Sequence, residues 1–253
     1  MKYSIEIIEK VLNDYKDNPN KKLLSKKYNI SRSTIRYWIS SDIINSIQDN
    51  QVRRKIQITE CYQRVSEKSK LYNFILGLYL GDGNISVNGR KSTSFRLRIS
   101  QDNKYPESIK EIKNALSEFF DKTSLVSKSN GCSVLTIFDK NLPVYFPQHG
   151  LGKKHDRKIE LLNFQRENID YKNLLRGLWV SDGSFYISLN GKYSYERYNF
   201  TNKSPDIISL FEECLISLDI KYGKRIKKNG IWVIQIQKKS EVDKMKKVVG
   251  IKS

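Results

Sequence analysis

Two short stretches of the sequence place an acidic residue and a glycine directly after an apolar run. Residues 74–83 read FILGLYLGDG, and residues 174–183 read LLRGLWVSDG. A carboxylate at the end of an apolar segment is costly to desolvate unless a cation meets it. We therefore expect a cationic partner near each of Asp82 and Asp182, either a set of basic side chains or a metal ion.

The apolar runs that precede these residues are predicted to be helices that pack on each other. Gly77 with Gly81, and Gly177 with Ser181, are small residues four positions apart, so they share one helical face and allow close backbone packing. Such packing brings the two aspartates side by side. Two neighbouring carboxylates that face a polyanion need divalent cations between them, and oxygen ligands favour Mg²⁺.

The chain repeats itself beyond these two stretches. Three sets of residues recur in the same order at an offset of 99 or 100: Gly77, Leu78, Asp82 and Gly83 with Gly177, Leu178, Asp182 and Gly183; Asn103, Lys104 and Pro106 with Asn202, Lys203 and Pro205; Asn130, Gly131 and Val134 with Asn229, Gly230 and Val233. Three ordered anchors predict the duplication of a unit of about a hundred residues.

Each copy is predicted to run helix, hairpin, helix, hairpin, helix. Helices are predicted from Pro106 to Phe120 and from Pro205 to Leu218, and Asn-Gly pairs mark the turns between alternating strands. Alternation leaves one polar face on each sheet, which carries Arg96, Arg98, Arg225, Lys227, Gln235 and Gln237. These residue types contact bases and phosphates of DNA, although solvated strand faces also carry them.

The first part of the chain predicts a small helical module. Helical spacing covers residues 4–17 and 21–28, Asn29 suits a tight turn, and Ser31 is placed to cap a third helix. This pattern resembles a helix-turn-helix, and the resemblance implies that its reading helix presents Ser31, Arg32, Ser33, Thr34, Arg36 and Tyr37 to DNA. The alternative is a three-helix packing module without DNA contact. We assign residues 1–45 to this module and 46–69 to a linker or a helix along DNA.

Composition limits the partners. The chain has 46 Lys and Arg against 27 Asp and Glu, a formal net charge of +19, so polyanions and above all nucleic acid are the expected partners. Three scattered cysteines predict reduced thiols, and two histidines are too few for histidine-based zinc sites. The longest apolar stretch, residues 71–80, is far below the ~20 residues of a membrane span. We expect a cytoplasmic, DNA-associated protein.

The paired motifs and the duplication resemble the two-motif LAGLIDADG homing endonucleases. The resemblance implies an α+β fold, a tandem αββαββα pseudo-twofold saddle, with a first repeat at 70–150, a linker at 151–170 and a second repeat at 171–253. It also implies that Asp82 and Asp182 bind metal, helped by the backbone carbonyls of Gly81 and Ser181. One chain would then act as a monomer on double-stranded DNA with a long asymmetric target site.

The family often adds a catalytic Lys or Gln near the metals. By rough register Thr136 and Gln235 occupy one such place, and Lys140 and Lys239 lie further along the strands. The identity of this residue stays open from the sequence.

The expected function is a Mg²⁺-dependent endonuclease that cuts both DNA strands at one site and spreads an intron or a free-standing gene. A regulator that keeps the fold and binds DNA without cleaving it is the main alternative. An intron maturase, which would bind RNA, is a further alternative. The presence of both motif aspartates favours the nuclease.

Overall fold

The computed structural model describes residues 3–41, 43–89, 94–129, 131–227 and 229–252. The chain divides into two compact units, Met1–Glu60 and Cys61–Ser253. Within the described residues, no helix is long and apolar enough to cross a membrane. Asn130, which was predicted to begin a turn, lies outside the described part of the chain.

The first unit is built of helices around a small apolar core. Its helices are α1 (Ile5–Asp17), α2 (Lys21–Tyr28), α3 (Arg32–Ser40) and α4 (Ile43–Glu67), the last of which continues past the boundary between the units. The core side chains are Ile8, Val11, Leu24, Ile30, Ile35, Trp38 and Ile47. The apolar residues that the helical spacing placed on one face of each helix are therefore buried in this core.

The turn between α2 and α3 has the predicted local chemistry. Asn29 adopts the left-handed conformation with φ of 53°, which Asn tolerates better than most residues. Ser31 Oγ accepts a hydrogen bond from the amide of Thr34 at 3.1 Å and so caps α3. Of the two structures left open for residues 46–69, the observed one is a helix, because α4 covers residues up to Glu67.

The second unit contains two copies of one arrangement. The first copy consists of α5 (Ser69–Leu80), β1 (Gly83–Val87), β2 (Phe95–Asp102), α6 (Pro106–Phe120), β3 (Leu125–Ser129), β4 (Cys132–Asp139) and α7 (Leu142–Tyr145). A 3₁₀ turn at Lys154–Asp156 and α8 (Asn163–Glu167) follow. The second copy consists of α9 (Tyr171–Asp182), β5 (Gly183–Asn190), β6 (Tyr193–Asn202), α10 (Pro205–Ser217), β7 (Gly223–Ile226), β8 (Trp232–Ile236) and α11 (Lys239–Val249).

Each copy forms one four-stranded antiparallel sheet, with the strand orders β1-β2-β4-β3 and β5-β6-β8-β7. Leu97 and Ile99 of β2 are fully buried in the core of the unit, whereas the alternating Arg98 is exposed. The two sheets thus have an apolar face toward the helices and a polar face away from them, as predicted. The α+β fold with two four-stranded sheets is confirmed.

The last helix of the first copy is shorter than its counterpart. α7 has four residues, whereas α11 has eleven. Pro147 explains the difference, because the residue before a proline is driven out of the helical conformation, and Phe146 is that residue. The chain therefore leaves the helix early and runs as an irregular segment toward α8.

Helices α5 and α9 touch along their backbones. A Cβ added to Gly177 would lie 2.1 Å from the carbonyl oxygen of Phe74, and one added to Gly77 would lie 2.5 Å from the amide nitrogen of Leu178. No side chain fits into that space, so glycine is required at both positions. This contact fixes the distance between the two copies.

We predict that Gly77→Ala destabilises the protein. Alanine favours a helix over glycine by roughly 0.5–1 kcal/mol, but overpacking against a rigid backbone costs about 1–3 kcal/mol or more, so the clash dominates. Gly223→Ala is the matched control, because a Cβ there meets nothing closer than Gln235 O at 3.9 Å. Chemical denaturation of the two variants checks this, and equal unfolding free energies would contradict the close contact.

Candidate active site

The close contact between α5 and α9 brings the two motif aspartates to the same place. A Cβ added to Gly81 would lie 1.9 Å from Ser181 Oγ and 3.1 Å from Asp182 Oδ2, so the end of one motif lies against the end of the other. Asp82 lies two residues after Leu80, the last residue of α5, and Asp182 is the last residue of α9. The pair predicted from the sequence is therefore adjacent in the structure.

The two carboxyl groups disfavour each other's ionisation. Desolvation, followed by repulsion from Asp82, raises the pKa of Asp182 to about 6. Desolvation also raises the pKa of Asp82, although its side chain is exposed on the open side of the site. Both groups therefore need positive charge nearby to remain ionised at neutral pH.

Lys154 supplies part of that charge. Its ammonium group donates hydrogen bonds to the carbonyl oxygens of Tyr79 and Gly81, the latter at 2.5 Å, and lies 5.2 Å from the centre of the Tyr79 ring. Burial lowers the pKa of Lys154 to about 8, while Asp182 and Asp82 oppose that shift. A lysine with this pKa exchanges protons readily near neutral pH.

Lys252 takes the corresponding place at the second motif. Its ammonium group donates hydrogen bonds to Ser181 O at 3.2 Å and Gly183 O at 2.6 Å, and lies 5.5 Å from the centre of the Trp179 ring. Burial lowers the pKa of Lys252 to about 8 as well, again opposed by the two aspartates. Two carboxylates and two lysines thus form one cluster with approximate twofold symmetry.

Sequence reasoning did not find these lysines. The residues considered for the basic role were Thr136, Gln235, Lys140 and Lys239, yet the lysines whose charge acts on both aspartates are Lys154 and Lys252. A signal was present, because Gly152-Lys153-Lys154 and Gly250-Ile251-Lys252 share a Gly-x-Lys pattern at an offset of 98. The other repeated residues are related by offsets of 99 or 100, so this pair falls one position short of the smaller offset.

The two halves of the cluster differ in one respect. Asn202 Nδ2 donates a hydrogen bond to Asp182 Oδ2 at 2.8 Å. Its counterpart Asn103 instead donates to Ser129 O at 3.3 Å and accepts from Ser133 Oγ at 2.7 Å. The duplication identified Asn103 and Asn202 as equivalent residues in the sequence. Their different hydrogen-bond partners become apparent only in the folded structure.

A cavity of about 520 Å³ opens beside the cluster. It is lined by residues of both repeats, among them Asn84 and Asp182, and its basic lining residues are His149, Lys153, Lys154, His155, Arg157 and Lys203. The excess of cationic side chains favours an anionic group such as a phosphate. The cavity therefore suits a phosphodiester placed next to Asp182.

The donor atoms fit a hard divalent cation. Asp82 and Asp182 supply carboxylate oxygens, and Gly81 and Ser181 supply the predicted carbonyl oxygens, an all-oxygen set of the kind that Mg²⁺ prefers. Both carbonyls here accept hydrogen bonds from Lys154 or Lys252, so a cation would share or take over these oxygens. Among the described residues, no cluster of three or more His, Cys, Asp or Glu side chains would hold a metal.

The predicted DNA-contacting residues of the two sheets lie on the polar faces. Arg96 and Arg98 share one face of β2, where Arg96 Nε donates to Ser86 Oγ at 2.9 Å. On the second sheet Arg225 lies opposite Val233, and Gln237 Nε2 donates to Gln235 Oε1 at 3.0 Å. Lys227 is exposed just beyond β7.

In the first unit, the predicted residues form one surface at the start of α3. Ser31, Arg32, Ser33, Arg36 and Tyr37 are exposed, and Thr34 is half-buried. Ile35 and Trp38 of the same helix point into the core. The helix thus separates a polar outer face from an apolar inner face.

Comparison with known proteins identifies the second repeat. Residues 170–250 match the family model described as a LAGLIDADG-like domain. No functionally curated protein shows a significant match to the sequence.

Solved structures extend the likeness beyond the second repeat. Mesophilic variants of the homing endonuclease I-DmoI share 18% identity with a TM-score of 0.51, over 72% of this chain and 91% of theirs. I-DmoI in complex with DNA and Mn shares 17% identity with a TM-score of 0.50, over 72% of this chain and 97% of that chain. Residues 170–250 are thus a LAGLIDADG-like domain, and the chain has the LAGLIDADG fold that is seen in I-DmoI.

Proposed function

We propose that the protein is a site-specific endonuclease that hydrolyses phosphodiester bonds in both strands of DNA with Mg²⁺ held by Asp82 and Asp182. The observation that carries this proposal is the cluster of two carboxylates and two lysines, one of each from either repeat or its flanking segment, beside a basic cavity. I-DmoI, whose fold the chain shares, is a homing endonuclease that has been seen with DNA and Mn.

The polar faces of the two sheets are the proposed DNA-binding surface. Arg96 and Arg98 on one sheet, and Arg225, Lys227, Gln235 and Gln237 on the other, are side chains suited to base edges and phosphates. The two faces carry different residues, which favours a long target site without internal symmetry. Both repeats lie in one chain, so one molecule would act on each site.

The cluster supports a direct division of roles. Bound Mg²⁺ would activate water for attack on the phosphorus atom and stabilise the leaving 3′ oxygen. Asp82 and Asp182 would hold the cation and position it between the two strands. Nζ of Lys154 and of Lys252, each with a pKa of about 8, can give a proton to the leaving oxygen or neutralise charge on the phosphate.

The first unit is proposed to be a helix-turn-helix that adds DNA contacts. The supporting observation is the exposed surface at the start of α3, where Arg32 and Arg36 flank hydroxyl side chains above an apolar core. These contacts would add to those made by the second unit.

We expect that Arg32→Ala with Arg36→Ala weakens binding of the target duplex and lowers its salt dependence. Each lost phosphate contact reduces the slope of log K against log salt by about 0.9. Lys10→Ala with Lys16→Ala is the control, because these exposed residues carry the same charge on a different helix, α1. Binding titrations at several salt concentrations measure both effects. Identical slopes for the two double variants would exclude α3 as the DNA-reading helix.

Asp82→Asn and Asp182→Asn test the proposed site. We expect double-strand cleavage of a plasmid library in Mg²⁺ to fall by several orders of magnitude for each variant, while binding in Ca²⁺ persists. Added Ca²⁺ should raise the melting temperature of the wild-type protein and lose that effect in both variants. A variant that cuts both strands at the wild-type rate would rule out the metal site. Specific binding without cleavage by the wild-type protein would instead favour a DNA-binding regulator.

Metal-free stability gives a second readout for Asp182→Asn. Because the folded-state pKa of Asp182 is raised from 3.8 to about 6, the fold loses stability as the pH rises from about 4 to about 6, and the loss is complete above about pH 6. The variant should therefore be more stable than wild type by about 1–2 kcal/mol at pH 7, after a discount for partial exposure, and equal to it below about pH 3, where the carboxyl group is protonated in both the folded and the unfolded state.

Asp139→Asn is the matched control for this measurement. The carboxylate of Asp139 pairs with Lys122 and accepts from the amide of Asn141 at 2.7 Å, so its loss should destabilise the protein. Cleavage should continue in this variant. Destabilisation of Asp182→Asn at pH 7 would indicate a structural carboxylate instead.

A further inference from the structure

The segment that follows α11 carries Lys252 into the active site. Val249 ends α11, and Gly250 turns the chain with φ of 66° and ψ of −154°, a conformation that glycine adopts without strain. Two residues, Gly250 and Ile251, separate Val249 from Lys252. The position of the Val249 backbone therefore decides whether the Lys252 ammonium reaches the carbonyls of Ser181 and Gly183.

Arg176 holds that backbone. From the middle of α9, its Nη1 donates to the carbonyl oxygen of Val249. Its Nη2 and Nε donate to the two carboxylate oxygens of Glu111 at 2.7 and 3.2 Å. The Arg176 side chain is 19% exposed and that of Glu111 is 39% exposed, so the guanidinium is largely shielded from water while the carboxylate reaches solvent. Glu111 belongs to α6 of the first repeat, and the ion pair therefore links the two repeats.

A second bond fixes the next residue of the segment. The hydroxyl of Tyr198 donates to Gly250 O at 2.8 Å. The carbonyls of Val249 and Gly250 are thus both held by side chains of the second repeat, just before the chain reaches Lys252. An unrestrained glycine has high conformational entropy, so these bonds limit where the lysine can lie.

The first repeat holds its lysine by other means. Leu76 stands where the second repeat has Arg176, at an offset of 100. Lys154 reaches its carbonyls from residues 150–157, where Arg157 Nη1 donates to Gly150 O. The two lysines occupy equivalent places, but Arg176 and Glu111 support one of them.

We propose that Arg176, fixed by Glu111, is a positioning residue for Lys252. The proposal rests on the proposed nuclease function, and it assigns to Arg176 the task of holding the segment Val249–Lys252 so that the ammonium group stays beside Asp182. One half of the active site then depends on an ion pair between the repeats, whereas the half that contains Lys154 does not.

Lysine reactivity tests the positioning without any cleavage assay. The metal-free protein is treated with an amine-acylating reagent, and the labelling of Lys252 and Lys154 is measured by mass spectrometry. In Arg176→Met we expect labelling of Lys252 to rise several-fold and labelling of Lys154 to stay at the wild-type level. Glu111→Gln retains Arg176 and should give a smaller rise, and it serves if Arg176→Met does not fold.

Arg166→Met is the matched control. Nη1 of Arg166, in α8, donates to both carboxylate oxygens of Glu213, in α10 of the second repeat, at 2.5 and 2.7 Å, and neither residue contacts the segment Val249–Lys252 in any described bond. Its loss should leave Lys252 labelling unchanged. Wild-type labelling of Lys252 in both Arg176→Met and Glu111→Gln would overturn the proposal.

Strand-resolved cleavage gives the functional readout. With a supercoiled plasmid that carries the target, Arg176→Met should accumulate nicked circles, because misplacing one lysine slows one strand by about 10- to 100-fold and spares the other. In a Lys252→Met background, Arg176→Met should add no further strand bias. Equal slowing of both strands, or an additive effect, would contradict a role through Lys252.

The two readouts separate the two proposals. If the wild-type protein does not cut the plasmid, the nuclease function fails, and the labelling of Lys252 still decides whether Arg176 positions it. If the plasmid is cut but Lys252 labelling and strand bias are unaffected by Arg176→Met, the nuclease function stands and the positioning role fails.

Discussion

The structure of the second unit depends on one close contact, in which α5 and α9 meet without side chains between them. Gly77 and Gly177 leave space for backbone alone, and the helices consequently end side by side. Every later feature of the site follows from this contact. The carboxylates of Asp82 and Asp182 become neighbours, the sheets that follow them are fixed relative to each other, and the cavity between the repeats receives its lining. A larger residue at either glycine would change all of these distances together.

Bringing two carboxylates together has an electrostatic cost that the fold meets with Lys154 and Lys252. Each lysine is desolvated, and each is held by carbonyls at the end of a motif helix, where the helix dipole also favours a positive charge. The two negative carboxylates and the two positive ammonium groups stabilise each other, and their charges nearly cancel before any ligand binds. The same arrangement places two acids with pKa values of about 8 beside the aspartates, so charge balance and the proposed proton transfer would have a common structural origin.

Local chemistry made much of the fold predictable. Asn29, Ser31 and Pro106 marked helix ends correctly, strand alternation identified the polar faces, and the duplication paired Asp82 with Asp182. The sequence was less informative where contacts are distant or periodicity is absent. Residues 46–69 lack a clear apolar face, so a helix there could not be separated from a linker, and α4 is largely exposed in its middle.

The parts of the site that escaped prediction depend on the tertiary fold. Lys154 lies in a 3₁₀ turn and Lys252 in an irregular segment, each after the last helix of its repeat, and their offset of 98 hid them from the alignment of the copies. Arg176 meets Glu111 across 65 residues of sequence, a pairing that no local pattern encodes.

The joining of both motif helices in one chain also affects how the protein can change. In an assembly of two identical chains, any substitution appears twice, so an improvement in one half must be tolerated by the other. Here the halves are encoded separately, and they already differ in sequence at Leu76 and Arg176 and in the hydrogen bonds made by Asn103 and Asn202. Each half can therefore accumulate substitutions independently of the other. The positions that must still change together are those where α5 and α9 pack on each other, at Gly77 and Gly177.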